Sequence, residues 1–369
     1  MEQQGRDIVE KTRVGIIGAT GMVGQNYLRL LDDHPWFQVT HVAASPRSAG
    51  RTYLDAVAGR WVMDHPIPEL IRDLTVDDAN DLETALRQCD VVFSSIGADT
   101  QAVRELEGRY AAAGLPVISN SSAHRHTGDV PMLIPEVNSH HIAIIPSQRK
   151  NRGWGAGFIV VKPNCSVQTY LPPVYALIAA GHPVESMVVS TLQAVSGAGY
   201  PGVAALDLLD NVIPFIPGEE KKTEREPLKI LGSIRAGRFV YEESLSISAH
   251  CNRVPLIDGH TACVSLKFRS GRPSLDEIIA IWKRFEAEPQ RLSLPSAPHP
   301  PIVYRQERDR PQPRRDRNAG GGMAISVGRL RECAVLDVRF VALCHNTVRG
   351  AAGGAILCAE LLRARGYIE

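Results

Sequence analysis

"RVGIIGATGMVGQNYLRLL", residues 13–31, passes from a run of apolar and β-branched residues into a helix-forming stretch through glycines spaced G-x-x-G-x-x-G. The run before the first of these glycines reads as a buried strand and the stretch after the last as an amphipathic helix. A strand that turns on glycine into a helix is the arrangement that binds dinucleotides. Gly18 permits the tight turn, Gly21 lets backbone approach a pyrophosphate, and Gly24 allows the helix to pack closely, while the first helical amides meet the phosphate charge. Thr20, Met22 and Val23 complete this loop. The alternative is a purely structural turn, but the position after a strand and before a helix favours the dinucleotide. The next strand, "FQVTHVAAS" (37–45), ends without the acidic residue that would hold a ribose diol and runs into Ser45, Arg47 and Ser48. Hydroxyls beside a guanidinium suit a 2′-phosphate, so the expected cofactor is NADP rather than NAD.

Working outward, the pattern repeats. "CDVVFSSI" (89–96), "RELEGRYAAAG" (104–114) and "PVISNSS" (116–122) continue the alternation of short strands with helices, which predicts βαβ units on a parallel, Rossmann-type sheet. Beyond Lys162 the strand-like segments lengthen: "SMVVSTLQAVS" (186–196), "SISAHCNRVP" (246–255), "GHTACVSLKF" (259–268) and "AVLDVRFVAL" (334–343), with helices expected at 166–180 and 274–288. That texture predicts an α+β domain with a mixed sheet. A chain of 369 residues exceeds what one core usually supports, and the expected division is α/β throughout: an NADP-binding domain at 1–163, a catalytic and oligomerisation domain at 164–345, and a helix at 346–369 returning to the first domain. The segment 296–322, rich in Pro, Arg and Gly, reads as a long loop serving as a mobile lid, a subunit arm or plain solvated chain.

Composition excludes several classes of protein. Forty-one basic residues against forty acidic leave a net charge of +1, which supplies no general field for nucleic acid or an anionic membrane. The opening "MEQQGRDIVEKTR" has no apolar leader, and no stretch reaches the roughly 18 apolar residues of a membrane span. A soluble, cytoplasmic protein is expected. The seven cysteines, at 89, 165, 251, 263, 333, 344 and 358, show neither metal-ligand spacing nor a disulfide framework, so reduced thiols and no metal are expected.

One of those thiols stands apart. In "KPNCSVQ" (162–168), Cys165 lies between an apparent strand and an apparent helix whose second turn Pro172 and Pro173 should distort. Asn164 is then the expected N-cap, and a thiol on the first turn should have its pKa drawn from about 8.5 toward neutrality by the helix dipole. A small buried side chain is the bland alternative. A nucleophile also needs a base and a grip on substrate charge. "CNRVPLIDGHT" (251–261) offers Arg253 and His260, which could converge across one hairpin, or could be a surface ion pair and a turn histidine.

Together these segments resemble the aspartate-semialdehyde dehydrogenase family, and most of all its archaeal and fungal branch. The resemblance runs nearly end to end, through "GATGMVGQ", "ASPRSAGR", "FSSIGAD", "VISNSSAHRHTGDVPMLIPEVN", "KPNCSVQ", "TLQAVSGAGYPG", "PGEEKKTERE", "CNRVPLIDGHT", "RPQPRRDRNAGGGMAISVGR" and "HNTVRGAAGGAILCAELL" in order. It implies that Cys165 carries the acyl group, that His260 is its acid/base partner and that Gln193 orients the intermediate. It implies further that Arg253 grips a substrate carboxylate, that Glu219 meets an α-ammonium, and that Lys222 and Arg125 bind phosphate. Ser95, Ser196, Gly197 and Asn346 join the cofactor set. From the residues alone, Glu219 to Lys222 is equally a solvated charge run. One departure stands in "NSSAHRH", where that branch often carries lysine and asparagine in place of Ser122 and Ala123. The implied reaction is NADPH-dependent reduction of β-aspartyl phosphate to aspartate semialdehyde through a cysteine thioester, by a homodimer or homotetramer. Malonyl-CoA and N-acetylglutamyl-phosphate reductases of the same superfamily, and a non-catalytic NADP-binding protein, are the alternatives.

Overall fold

The computed structural model describes residues 10–97 and 99–369. The first nine residues, where no apolar leader is expected, and Ala98 of "FSSIGAD" lie outside them. The opening stretch forms β1 (Thr12–Ile17) and α1 (Met22–Leu31), and the alternation continues through β2 (Phe37–Ala44), β3 (Val76–Asp78), α2 (Leu82–Gln88), β4 (Val91–Ser94), α3 (Thr100–Ala112), β5 (Pro116–Ser119) and β6 (Phe158–Val161). All pair in parallel in the order β3-β2-β1-β4-β5-β6, the doubly wound topology whose ligand crevice opens at the carboxyl ends of the strands. Gly18 adopts φ +87°, and a Cβ on Gly24 would stand 2.3 Å from the Gly18 carbonyl oxygen. The two glycines are therefore required by the turn itself, as the motif predicts.

Helix α4 (Val167–Ala179) leads from β6 into the second sheet. It runs through Pro172 and Pro173 without a break, contrary to the distortion expected of them. Both rings are buried, and packing of the whole helix overrides the local penalty. The second sheet contains β7 (Val184–Gln193), β10 (Ser246–Arg253), β11 (His260–Phe268), β12 (Ile302–Arg305), β13 (Ile325–Glu332) and β14 (Val338–Cys344) in the order β10-β7-β11-β14-β13-β12. Its ladders are parallel at both edges and antiparallel between, hence a mixed sheet. A small hairpin, β8 (Ser233–Arg235) with β9 (Arg238–Val240), follows α5 (Glu219–Ile230). One face of the mixed sheet packs on α4 and α6 (Leu275–Arg284), where Trp282 is fully buried and donates to the Pro173 carbonyl at 2.9 Å. The opposite face is open, with Val188 and Cys263 exposed.

The segment 296–322 is not a long loop. It adds β12 to the sheet edge and is tied by the buried Asp316, which takes the guanidinium groups of Arg305 at 2.9 Å and Arg310 at 2.6 Å. The last helix, α7 (Gly353–Ala364), buries Ala355, Ile356, Leu357 and Leu361 in one core with Val14, Ile16 and Phe93 of the parallel sheet. The turn before it places Arg349, 1% exposed, against the fully buried carboxylate of Glu136, with Nη2 2.9 Å from Oε2. Removing one partner of such a pair leaves an uncompensated buried charge. Glu136→Ala should therefore cost ~3–5 kcal/mol in denaturant unfolding, with a smaller loss for Glu136→Gln; a cost under about 1 kcal/mol would mean the pair does not hold this seam.

Candidate active site

The carboxyl end of β6 and the ends of β7, β10 and β11 meet at one place. Cys165 Sγ lies 3.2 Å from His260 Nε2. Arg253 ends β10 and His260 begins β11, but the two strands do not pair with each other as a hairpin. Both pair with β7, one on each side, so the guanidinium and imidazole converge around the end of that strand. A Cβ on Gly197 would stand 3.1 Å from Arg253 Nη1 and 3.2 Å from His260 Cε1, so a side chain there would press on both groups. Cys165 is crowded in the same way by Gly350, whose Cβ would meet the Cys165 Cβ at 2.7 Å.

Helix α4 begins at Val167, one residue inside the expected 166–180 and two beyond the start that an Asn164 cap implies, and Cys165 sits in the turn before it. Asn164 nevertheless accepts the Ser166 N–H at 2.9 Å, while its amide donates to both oxygens of Glu219 at 3.0 Å. Gln193, at the end of β7, donates to Glu219 at 3.2 Å, and Lys222 does so at 2.8 Å. Burial alone would raise the Glu219 carboxyl, but Lys222 and these N–H donors outweigh it and hold the group below its usual range. The site thus keeps an ionised carboxylate beside the thiol. The thiol itself is corrected by the structure: burial first, then the Glu219 charge, pushes Cys165 up rather than toward neutrality, against the pull of Lys162, Arg125 and Lys222. Burial also lowers His260, helped by Arg253, to about 3.

A cavity of about 510 Å³ is lined by Cys165, Asn164, Gln193, Glu219, Lys222, Arg253 and Arg125, and also by Met22, Val23, Ser196, Gly197 and Asn346. A second, of about 380 Å³, is lined by Gly18, Thr20, Gly21, Ser45 and Ser95. Residues 20–23, between β1 and α1, thus run from one cavity to the other. A dinucleotide fits this pair of spaces, because the glycine turn between them admits no Cβ at Gly18 or Gly24 and presents helix amides at Gly21 to Val23. Two expected residues fall outside both walls: Arg47 is exposed and Ser48 is buried behind the turn. Arg60 lines the second cavity in their place. Its backbone carbonyl accepts from Gln25, which also grips the Thr20 carbonyl. Asn346 has its side chain committed, accepting from the Gly259 N–H at 2.8 Å and donating to Ser196 at 2.8 Å, so it shapes the wall by tying the His260 turn to Ser196. Among the described residues no cluster of His, Cys, Asp or Glu could hold a metal ion.

The sequence reading missed the supports. Lys162, fully buried, donates to the Pro163 and Gly350 carbonyls; burial lowers it to about 8. Glu226 accepts from Arg125 at 2.9 Å with one oxygen and from the Asn164 N–H at 2.6 Å with the other. Lys229 donates to the carbonyls of Arg125, Thr127 and Val130 at 2.7–2.8 Å. Glu219, Lys222, Glu226 and Lys229 lie on one face of α5 at helical spacing, a signal present in "EEKKTEREPLK" that is lost when the run is read only as solvated charge.

A parallel dinucleotide-type sheet joined to a mixed sheet, with a thiol and an imidazole at the seam, is the architecture of a dinucleotide-dependent oxidoreductase. Two family models match the chain, the semialdehyde dehydrogenase NAD binding domain over residues 13–145 and the semialdehyde dehydrogenase dimerisation domain over residues 174–349. The aspartate-semialdehyde dehydrogenase of Cryptococcus neoformans is 43% identical, covering 97% of this chain and 98% of that one, and that of Archaeoglobus fulgidus is 44% identical over 95% and 97%. The crystal structure of the Candida albicans aspartate-semialdehyde dehydrogenase with NADP superimposes with a TM-score of 0.89 at 40% identity, covering 97% of this chain and all of that one. The chain belongs to the aspartate-semialdehyde dehydrogenase family.

If Glu226 orients both Arg125 and the backbone before the thiol, Glu226→Ala should lose ~2 kcal/mol of transition-state stabilisation, about thirtyfold in kcat/KM. Glu226→Gln, which can still accept the Asn164 N–H, should recover part of it. Steady-state kinetics beside thermal unfolding check this, and an unchanged kcat/KM for the alanine variant would contradict it.

Proposed function

We propose that the chain reduces β-aspartyl phosphate to aspartate semialdehyde and phosphate with NADPH, through an acyl thioester on Cys165. The observation that carries the reading is that Arg253 and an ionised, buried Glu219 line the same cavity as Cys165. A guanidinium and a carboxylate facing one thiol match a substrate that bears both an α-carboxylate and a free α-ammonium. Malonyl-CoA has no amine, and the amine of an N-acetylated substrate is neutral.

In this reading Cys165 attacks the acyl carbon, phosphate departs toward Lys222 and Arg125, and a thioester remains. Bound along the two cavities, the dinucleotide supplies hydride to the acyl carbon. Gly18, Thr20, Gly21 and Ser45 would hold its phosphate-bearing end with Arg60 and Ser95, and Met22, Val23, Ser196, Gly197 and Asn346 its nicotinamide end. Gln193 and Asn164 keep Glu219 and the substrate in register, and His260 faces the sulfur. A thiol suits this relay because its ester accepts hydride yet still exchanges with phosphate.

The division expected at 163/164, with the terminal helix on the first domain, is part of the same proposal; the separate strand orders of the two sheets and the burial of α7 against the parallel sheet support it. A homodimer or homotetramer would cover the open face of the mixed sheet at Val188 and Cys263, and the match to a dimerisation domain supports this. No helix among the described residues is long and apolar enough to cross a membrane, and action in the cytoplasm is part of the same proposal.

NADPH oxidation measured in parallel with β-aspartyl phosphate, malonyl-CoA and N-acetylglutamyl phosphate should proceed with the first alone. Cys165→Ala should abolish it while dinucleotide binding persists. Turnover of malonyl-CoA only, or substantial turnover by the alanine variant, would overturn the proposal.

A further inference from the structure

A smaller cavity, of about 250 Å³, shares no residue with the two that the proposed reaction uses. Its walls are apolar: Val137 from the first domain, Tyr175 and Ile178 from α4, Ile230 and Leu231 from the end of α5, and Leu245 just before β10. Two opposite charges complete the lining, Arg269 just after β11 and Glu242. Arg269 donates to the Ser244 carbonyl at 2.7 Å, and Glu242 accepts the Ser244 N–H at 2.8 Å. Neither forms an ion pair among the described residues, with the other or with any third group. The hydroxyl and amide of Ser244 hold the Glu242 carboxyl below its usual range, so it stands ionised beside the guanidinium. This lining is complementary to a molecule with a carboxylate, an ammonium and a short hydrocarbon chain. The volume lies below the roughly 300–1,000 Å³ of pockets for drug-sized ligands, which suits one amino acid and excludes a nucleotide.

The position of the cavity lets an occupant act on the site. The turn of Cys165 and the Glu219 carboxylate lie at the N-terminal ends of α4 and α5, and the cavity lies at the C-terminal ends of the same two helices. Ile230 follows Lys229, whose ammonium holds the loop of Arg125. Val137 follows Glu136, the partner of Arg349 across the seam. Between them, His141 Nε2 donates to the Gly232 carbonyl at 3.1 Å, and both Gly232 and the neighbouring His140 line the cavity. That bond ties the first domain to the end of α5, and an occupant bears on both sides of it.

We propose that this cavity is a regulatory site for an aliphatic α-amino acid, with Arg269 on its carboxylate, Glu242 on its ammonium and its side chain among Ile178, Ile230 and Leu245. Binding shifts the end of α5 against the His141 turn and lowers turnover, because a misplacement of about 1 Å at the reacting groups can cost a factor of 10². The effect on turnover rests on the reaction proposed above, whereas binding does not.

The test uses L-leucine on the full chain, followed by saturation-transfer NMR and by thermal unfolding. For a ligand of its size a dissociation constant of roughly 0.1–10 mM is expected. 4-Methylpentanoate lacks the ammonium and 3-methylbutylamine lacks the carboxylate, and each should bind at least about fivefold more weakly. Arg269→Ala should weaken leucine about tenfold, and Ile178→Trp should exclude it by filling the space. The thiol cavity also holds a guanidinium and a carboxylate, so Arg253→Ala is the control, and it should bind leucine undiminished. Saturating leucine should lower kcat/KM with β-aspartyl phosphate at least about fivefold in the wild type and leave Arg269→Ala unchanged. No binding up to about 20 mM, equal binding of the two analogues, binding that survives both Arg269→Ala and Ile178→Trp, or loss of binding in Arg253→Ala overturns the site. Binding with unchanged turnover overturns its regulatory role. Leucine binding is read without acyl substrate, so failure of the site is distinguishable from failure of the proposed function, which the parallel turnover assays report.

Discussion

Everything in this molecule depends on keeping one sulfur 3.2 Å from one imidazole nitrogen when the two belong to different sheets. Cys165 leaves the last strand of the parallel sheet, and His260 opens a central strand of the mixed one. A misplacement of about 1 Å at such a contact can cost a factor of 10² in rate, so the seam has to be stiff. It is stiffened by buried charged and polar groups: Lys162 gathers the carbonyls beside Cys165, Arg349 pairs with Glu136, and Asn346 ties the His260 turn to Ser196. Each of these groups would be costly to bury alone. Each is buried because its partner comes from another segment.

Helix α5 connects this framework to the chemistry. Its outer residues meet solvent, while one stripe turns Glu219 and Lys222 toward the thiol and Glu226 and Lys229 toward the loop that carries Arg125. One rigid helix therefore sets the Glu219 carboxylate, the backbone before Cys165 and the Arg125 guanidinium in fixed relation. The cost is that the Cys165 thiol is largely enclosed and beside a negative charge, where thiolate is disfavoured. Lys162, Arg125 and Lys222 oppose that cost, rather than a helix dipole acting alone.

What the sequence made legible was local. The glycine turn announced itself because Gly18 and Gly24 are demanded by neighbours a few residues away, and the alternation of short strands with helices announced the parallel sheet. Cys165, His260 and Arg253 were nameable because each sits in a short distinctive segment, whereas Gln193 and Glu219 were nameable only through the family resemblance of theirs. Their meeting was not legible, since it depends on strand order: Arg253 and His260 look like a hairpin in the chain and are separated by β7 in the sheet. Arg60 replaced Arg47 at the cavity wall because Gln25 holds its backbone there, a contact spanning 35 residues. Glu226 and Lys229 hid in a charge run whose helical face means nothing until the helix has something to face. The proline pair in α4 misled for the same reason, because burial on both sides decided the helix.

The central claim is that Cys165 becomes the acyl carrier. The most direct measurement is to mix the enzyme with β-aspartyl phosphate in the absence of NADPH, quench in acid and locate any adduct by peptide mass spectrometry. The account predicts one aspartyl thioester per active subunit, on the peptide containing Cys165, released by hydroxylamine. An adduct on another residue, or none under conditions where the same preparation turns over, would contradict it.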